Sequence, residues 1–194
     1  MLFRSKEGQA SKGQVSFSSD DDIPGLKRLV EVIHRNGCKV VAQINHAGGK
    51  SISALGGESL TAPAPSVMPY TTTRGEAVQA HAMTQQEIDQ VIADFASAAY
   101  RAKEAGFDGV EIHSAHGYLL SQFYSPITNK RTDDYSGASI AGRTRLHCQV
   151  IEAVRNEVGP DYLLALRLGA CDYEEGGATR EDAVAACKIF ENAG

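Results

Sequence analysis

The sequence predicts an α/β protein of the (β/α)8 TIM-barrel type, of which this 194-residue chain contains about three strands and four helices. Helices alternate with short apolar strands, which is typical of parallel strands joined by right-handed crossovers. Each predicted strand has polar groups near its C-terminal end, and the longest loops follow these ends. Barrels of parallel strands build their active sites at that end.

The first helix is predicted within residues 20–37. Pro24 stands early in it, where the missing N–H costs no hydrogen bond, and apolar residues follow at helical spacing. Gly37 then ends the helix as a left-handed cap. The strand KVVAQINHAG (39–48) follows, and Gln43 lies on its polar face.

The second helix is predicted within residues 84–106, where Thr84 and Glu87 have the spacing of a capping box. The strand that follows, GVEIH, ends in His113. Glu111 lies deeper on the same face of this strand, and we expect it to pair with a buried cation.

A third helix is predicted within residues 142–159 and a fourth within residues 179–194, the latter with Thr179 and Asp182 in capping-box spacing. The strand between them, YLLALRLG, places Arg167 opposite a row of leucines. All three strands have one wholly apolar face, which suits packing beneath helices.

The polar strand ends favour a barrel over a doubly wound sheet. A barrel would bring Gln43, His113 and Arg167 to a single mouth, and long loops (47–83 and 119–142) follow the first two strands on that side. An open doubly wound sheet also binds ligands at its carboxyl ends. The sequence, however, contains no glycine-rich dinucleotide fingerprint and no P-loop.

Composition argues against several classes of function. The net charge of −5 and the lack of a basic stripe argue against a nucleic-acid partner. The four cysteines are far apart and form no CxxC pair, so we expect neither a disulfide scaffold nor a zinc or iron–sulfur site. The polar start lacks the apolar core of a signal peptide, and no run reaches transmembrane length. We therefore expect a cytoplasmic protein without a membrane partner.

The segment GFDGVEIHSAHGYL gathers His113, His116 and Tyr118 just after the second strand. Two imidazoles and a phenol can hold a developing negative oxygen and deliver a proton. A metal site of Glu111 and the two histidines lacks a further ligand at a known spacing, so we expect no metal.

The remaining histidines are less informative. His46, just past the first strand, either lines the mouth or caps the loop. His34, His81 and His147 fall on predicted helices or in a loop, and we expect them at the surface.

The segment GFDGVEIHSAHGYLLSQFYSPITNKRTDDYSG strongly resembles the Old Yellow Enzyme family of FMN-dependent NAD(P)H oxidoreductases, which includes ene-reductases and 2,4-dienoyl-CoA reductases. The resemblance extends to IPGLKRLVEVIHRNGCKVVAQINHAG and LALRLGACDYEEGG, and so covers nearly the whole chain. It implies FMN as cofactor and NADH or NADPH as reductant. In the implied reaction NAD(P)H reduces FMN, and flavin N5 then gives a hydride to the β-carbon of an enone, enal or dienoyl thioester.

The resemblance also implies roles for five residues. His113 and His116 would hydrogen-bond the carbonyl oxygen of the substrate. Tyr118 would donate a proton to the α-carbon, and a phenol with an ordinary pKa of about 10 is protonated at neutral pH. Gln43 would contact the pyrimidine edge of the flavin. Arg167 would lie beside flavin N1 and stabilise the anionic reduced ring.

Two features depart from the family. YSGASIAGR replaces the common YGGSLENR, so we expect a different start for the third helix. The chain is also shorter than the roughly 250 residues of a complete barrel. We therefore expect residues 1–194 to be an internal portion of an FMN-binding barrel domain, without its N-terminal strands and its C-terminal phosphate-binding strands.

Two functions follow from this length. The first is an FMN-dependent reductase of activated double bonds. The second is a catalytically incomplete barrel fragment that acts, if at all, as an assembly module. Such a module would form an oligomer, or pair with a complementary barrel segment, through its open strand edges.

Overall fold

The computed structural model describes residues 2–3, 6–52, 62–72, 75 and 77–194. The helices α1 to α5 span Ile23–Arg35, Gln85–Glu104, Leu119–Tyr124, Ile140–Val158 and Arg180–Ala193. The strands β1 to β7 span Leu2–Phe3, Val41–Asn45, Ala62–Ala64, Pro69–Thr71, Ala77–Ala82, Gly109–Ser114 and Leu163–Leu168. Among the described helices, none combines the length and the apolar composition that a membrane crossing requires.

The main sheet is parallel and has the order β1-β2-β6-β7, so neighbouring strands follow one another as in successive units of a barrel. The three predicted strands are present as β2, β6 and β7. About three strands were expected in the chain, and the described residues form seven. The strand β1 has only two residues, too few to show a hydrophobic pattern, and three further strands form a second sheet. The register sets Gln43 beside Glu111, and His113 beside Arg167.

The core lies between one face of this sheet and the helices. The alternate residues Ala42 and Ile44 of β2, and Val110 and Ile112 of β6, are fully buried on that face. Helix α2 packs against β2, β6 and α4, and α4 packs against α5. Full burial of one large apolar side chain contributes about 1.5–3 kcal/mol, so this face supplies much of the stability.

Several helices begin or end with the capping residues that the sequence predicts. Both predicted capping boxes, at the starts of α2 and α5, are present. Gly37 has a φ of 74° after α1, the left-handed conformation expected of it. Helix α4 starts at Ile140, where the side chain of Ser139 accepts a hydrogen bond from Gly142 N.

The long segments predicted as loops contain structure of their own. Strands β3, β5 and β4 form a small second sheet, with a parallel and an antiparallel pairing. Helix α3 lies in the second long segment. All of these elements are short, and β3 and β4 each contain a proline, so the hydrophobic pattern does not reveal them.

Strand β7 forms one edge of the main sheet. It pairs with β6, and no other strand of the described residues pairs with it. Beside it lies an apolar groove of about 360 Å³ whose lining includes Ile151, Leu164 and Phe190. This edge is therefore open, and Leu163 is 52% exposed on it.

Candidate active site

The two histidines and the tyrosine form a compact unit at the C-terminal end of β6. His113 Nε2 lies 3.1 Å from His116 Nδ1, so one imidazole donates to the other. The ring of Tyr118 stands edge-on to that of His113, with 5.6 Å between the ring centroids. His113 and Tyr118 are buried, whereas His116 reaches the surface. The structure thus brings together the three residues that the sequence singled out.

A sharp turn of the backbone produces this contact. His116 has a φ of 59° and Gly117 a φ of 67°, so two successive residues are left-handed. A positive φ is uncommon for a residue other than glycine. The turn ends at Tyr118, which is the N-cap of α3, and the chain reverses directly after the strand.

Burial keeps His113 neutral. The pKa of its imidazole is lowered to about 4, mainly by desolvation and further by the nearby His116 and Arg167. Its Nδ1 atom is buried and has no hydrogen-bond partner among the described residues. A buried polar atom left unpaired costs about 1–3 kcal/mol. One polar atom of His113 is therefore left for a partner that the described residues do not supply.

Tyr118 is suited to remain protonated. Burial raises the pKa of its phenol above the ordinary value. Its ring packs with Ala10, in the segment between β1 and α1, and with Ala47, just after β2. A phenol held in this way keeps its proton at neutral pH until a basic atom approaches.

The other predicted residues lie on the same face of the sheet as His113. This face points away from the helices and is called the interior face below. Gln43 donates from Nε2 to Glu111 Oε1 across the β2–β6 pair. The partner expected for Glu111 was a cation; among the described residues its partner is instead the amide of Gln43, which the register sets opposite it. Arg167 is exposed beside His113 and forms no ion pair with a residue that the structure describes.

Asn45 is a candidate that we did not predict as a site residue. It is fully buried, its Oδ1 accepts a hydrogen bond from Gln14 Nε2 at 3.0 Å, and its Nδ2 has no partner among the described residues. The alternation of β2 places it on the face of Gln43, and the β2–β6 register continued by one residue sets it beside His113. Strand alternation alone could have identified it.

His46 caps a loop. It is buried, and its Nδ1 accepts a hydrogen bond from Gly48 N at 2.9 Å. Of the two alternatives given for His46, this contact agrees with capping of the loop. His34 and His81, both expected at the surface, have side chains that are 38% and 33% exposed, and each contacts an acidic side chain.

The expectation of a surface position is wrong for His147. This residue of α4 is fully buried, stacks on Phe190 of α5 with 5.0 Å between the centroids, and lies 2.8 Å from Ser114 Oγ through Nε2. Burial lowers the pKa of the imidazole to about 3. A single helix does not show which of its flanks another helix covers, and here α5 covers the flank that carries His147.

Comparison with known proteins gives a family match over residues 1–193, to the NADH:flavin oxidoreductase / NADH oxidase family. An NADPH dehydrogenase of Listeria monocytogenes is 44% identical over 177 residues, which are 90% of this chain and 48% of the relative. A metal reductase of Desulforamulus reducens is 42% identical over 182 residues, 94% of this chain and 26% of the relative. The chain thus spans about half of the first relative and about a quarter of the second.

Solved structures agree with these matches. A 2-naphthoyl-CoA reductase complex has a TM-score of 0.91 and 31% identity, covering 98% of this chain and 30% of that one. Morphinone reductase in complex with tetrahydroNAD has a TM-score of 0.85 and 28% identity, covering 99% of this chain and 56% of that one. An old yellow enzyme homologue from Zymomonas mobilis has a TM-score of 0.86. These neighbours are TIM barrels, and the predicted fold class is confirmed.

Proposed function

Because this chain belongs to the NADH:flavin oxidoreductase / NADH oxidase family, and the predicted Old Yellow Enzyme resemblance is confirmed, we propose that it serves as an FMN-dependent NAD(P)H oxidoreductase acting on activated carbon–carbon double bonds. One observation carries the proposal. The buried, neutral His113 has an unpaired Nδ1 and contacts both His116 and Tyr118. Such a cluster suits a carbonyl oxygen that gains negative charge.

The residues of the interior face fit a flavin. A flavin ring has hydrogen-bond donors and acceptors along one edge and gains negative charge when reduced. Arg167 offers a cation without a carboxylate partner among the described residues, Gln43 keeps its Oε1 as an acceptor, and Asn45 offers an unpaired buried Nδ2. FMN and NADH or NADPH, the predicted cofactors, are those of the family. When bound, FMN supplies the hydride that the nicotinamide nucleotide provides.

Side chains of this protein would bind the substrate and supply the proton. His113 and His116 would donate hydrogen bonds to the carbonyl oxygen of the substrate and stabilise the charge that develops there. Tyr118, protonated because burial raises the pKa of its phenol, would give that proton to the α-carbon. The small-molecule substrate would then leave as the saturated carbonyl compound.

The Tyr118→Phe variant tests the proton-donor role. We expect alkene reduction to slow by about 10²–10⁴-fold, the usual contribution of a general acid, while flavin reduction by NAD(P)H keeps its rate. Stopped-flow absorbance of the flavin measures the two half-reactions separately. An equal loss in both of them would contradict the role.

A second candidate function, an assembly module, is favoured by the open edge of β7 and its apolar groove. In this case the chain would pair with a second copy or with a complementary barrel segment. The expectation that residues 1–194 form an internal portion of the barrel domain stays a prediction, as does the cytoplasmic location.

An absorption spectrum and a solution mass of the purified chain separate the two candidates. Bound flavin, seen as yellow colour after addition of FMN, supports the reductase. A colourless oligomer that does not take up added FMN supports the assembly module, and a colourless monomer contradicts both functions for this chain.

A further inference from the structure

The amide of Gln122 joins the two loops that frame the site. Its Nε2 donates to Gly117 O at 2.7 Å and to Ala47 O at 3.3 Å, and its Oε1 accepts from Gly49 N at 3.0 Å. The side chain is 1% exposed. One buried amide on α3 therefore uses both donor hydrogens and its oxygen to fasten the loop after β2 to the turn after β6.

The junction is too tight for other side chains. A Cβ atom on Gly48 would lie 2.4 Å from Gln122 Oε1 and 2.9 Å from the Cα of Leu119. Leu119 N also donates to the carbonyl of His46 at 3.0 Å. The two loops thus meet backbone to backbone, and the Gln122 amide fills the space that remains.

Lys50 holds the same turn from its outer side. Its Nζ donates to the carbonyl oxygen of His116 at 3.0 Å. Its partial burial lowers the pKa of the ammonium group. The two left-handed residues, His116 and Gly117, each offer a carbonyl oxygen to a side chain, one to Lys50 and the other to Gln122.

We propose that Lys50 and Gln122 are positioning residues that together hold His116 in its left-handed conformation and its imidazole against His113. A left-handed non-glycine residue persists only where its surroundings over-determine it. The imidazole follows its backbone, so without either bond the turn relaxes and the contact between the two rings is lost. The consequence for substrate binding rests on the proposed function, whereas the geometry of the turn does not.

The geometry can be measured without flavin. We expect Lys50→Met and Gln122→Leu to change the HN–Hα coupling of His116, which reports φ, and the ¹⁵N shifts of its imidazole. Lys50→Arg should restore both signals, because a guanidinium can donate to the same carbonyl. The control variants Lys188→Met and Gln90→Leu, on α5 and α2, should leave both signals unchanged. Lys50 is only partly buried, so its variants carry the test if Gln122→Leu fails to fold.

A second measurement separates this inference from the proposed function. In the flavin-loaded protein, we expect Lys50→Met to weaken the binding of a phenol, measured by calorimetry, by about tenfold to a hundredfold. Unchanged couplings and imidazole shifts in the Lys50→Met chain overturn the positioning role. Changed signals with unchanged phenol affinity uphold the positioning role and contradict the proposed role of His116.

Discussion

His113 and His147 lie on opposite sides of the same strand end. His113 faces the interior of the sheet, and the next residue, Ser114, faces the helices and contacts His147. Desolvation lowers the pKa of both imidazoles, to about 4 for His113 and about 3 for His147. At neutral pH both rings are neutral, so the strand end carries hydrogen-bonding groups without positive charge of its own.

The lowered pKa values of the two buried imidazoles make the protein less stable in acid. Between the folded pKa values and the unfolded value of about 6.5, the unfolded chain binds more protons, so the free energy of unfolding falls as the pH falls. We expect His147→Leu to remove on the order of 3 kcal/mol of that loss between pH 6.5 and pH 4. Urea denaturation at the two pH values measures it, with Cys148→Ala as the control on the same helix. A variant with the same pH dependence as the native chain would show that His147 is not buried as a neutral ring.

The residues of the site differ in how well the sequence reveals them. His113, His116 and Tyr118 are neighbours along the chain, and their types already indicate acid–base chemistry. Lys50 lies 66 residues before His116 along the chain, and Gln122 lies five residues after Gly117, yet both side chains bond to the same turn. Nothing in their local sequence pattern indicates these contacts. Long-range partners of this kind follow from packing, which a single sequence does not display.

At the scale of elements, the long helices and the buried strands could be predicted, because periodicity and caps act locally. The small second sheet could not. It is held by bonds to distant loops, such as Lys130 N to Ser66 Oγ at 2.7 Å and Arg131 to the carbonyl of Met83 at 2.7 Å. Elements that depend on tertiary hydrogen bonds leave little trace in hydrophobic patterning.

The cap of α2 gives a direct test at this scale. The Thr84 side chain accepts from Glu87 N, and the Glu87 carboxylate accepts from Thr84 N at 2.7 Å. We expect Thr84→Ala to lower the free energy of unfolding by about 1 kcal/mol. Thermal denaturation measures this loss, with the exposed Thr132→Ala as the control. Equal stability of both variants would show that the box does not stabilise α2.

At the scale of the whole molecule, the main sheet has four parallel strands in its described part, and a closed barrel has eight. The edge of β7 exposes backbone groups that another strand can use. The groove beside it is apolar, with leucines of β7 facing Phe190 of α5. A strand edge next to an apolar groove favours association with a further segment of barrel.

Association through this edge predicts a specific effect of charge. We expect Leu163→Lys, on β7, to weaken self-association of the chain by about tenfold, because charged side chains on an edge oppose strand pairing. Sedimentation velocity measures the change. Val184→Lys replaces a similarly exposed residue of α5 and serves as the control. If both variants associate like the native chain, the β7 edge is not the contact.

The close approach of the loop after β2 bears on protein engineering. A Cβ atom on Gly48 would strike Gln122, and one on Gly49 would lie 2.4 Å from the ring of Tyr70. A directed-evolution library that randomises these two glycines would therefore yield mostly misfolded clones. The loop between β3 and β4, where Val67 is 69% exposed, can accept varied side chains at little cost. A library that is meant to keep the fold intact therefore places its diversity in that loop.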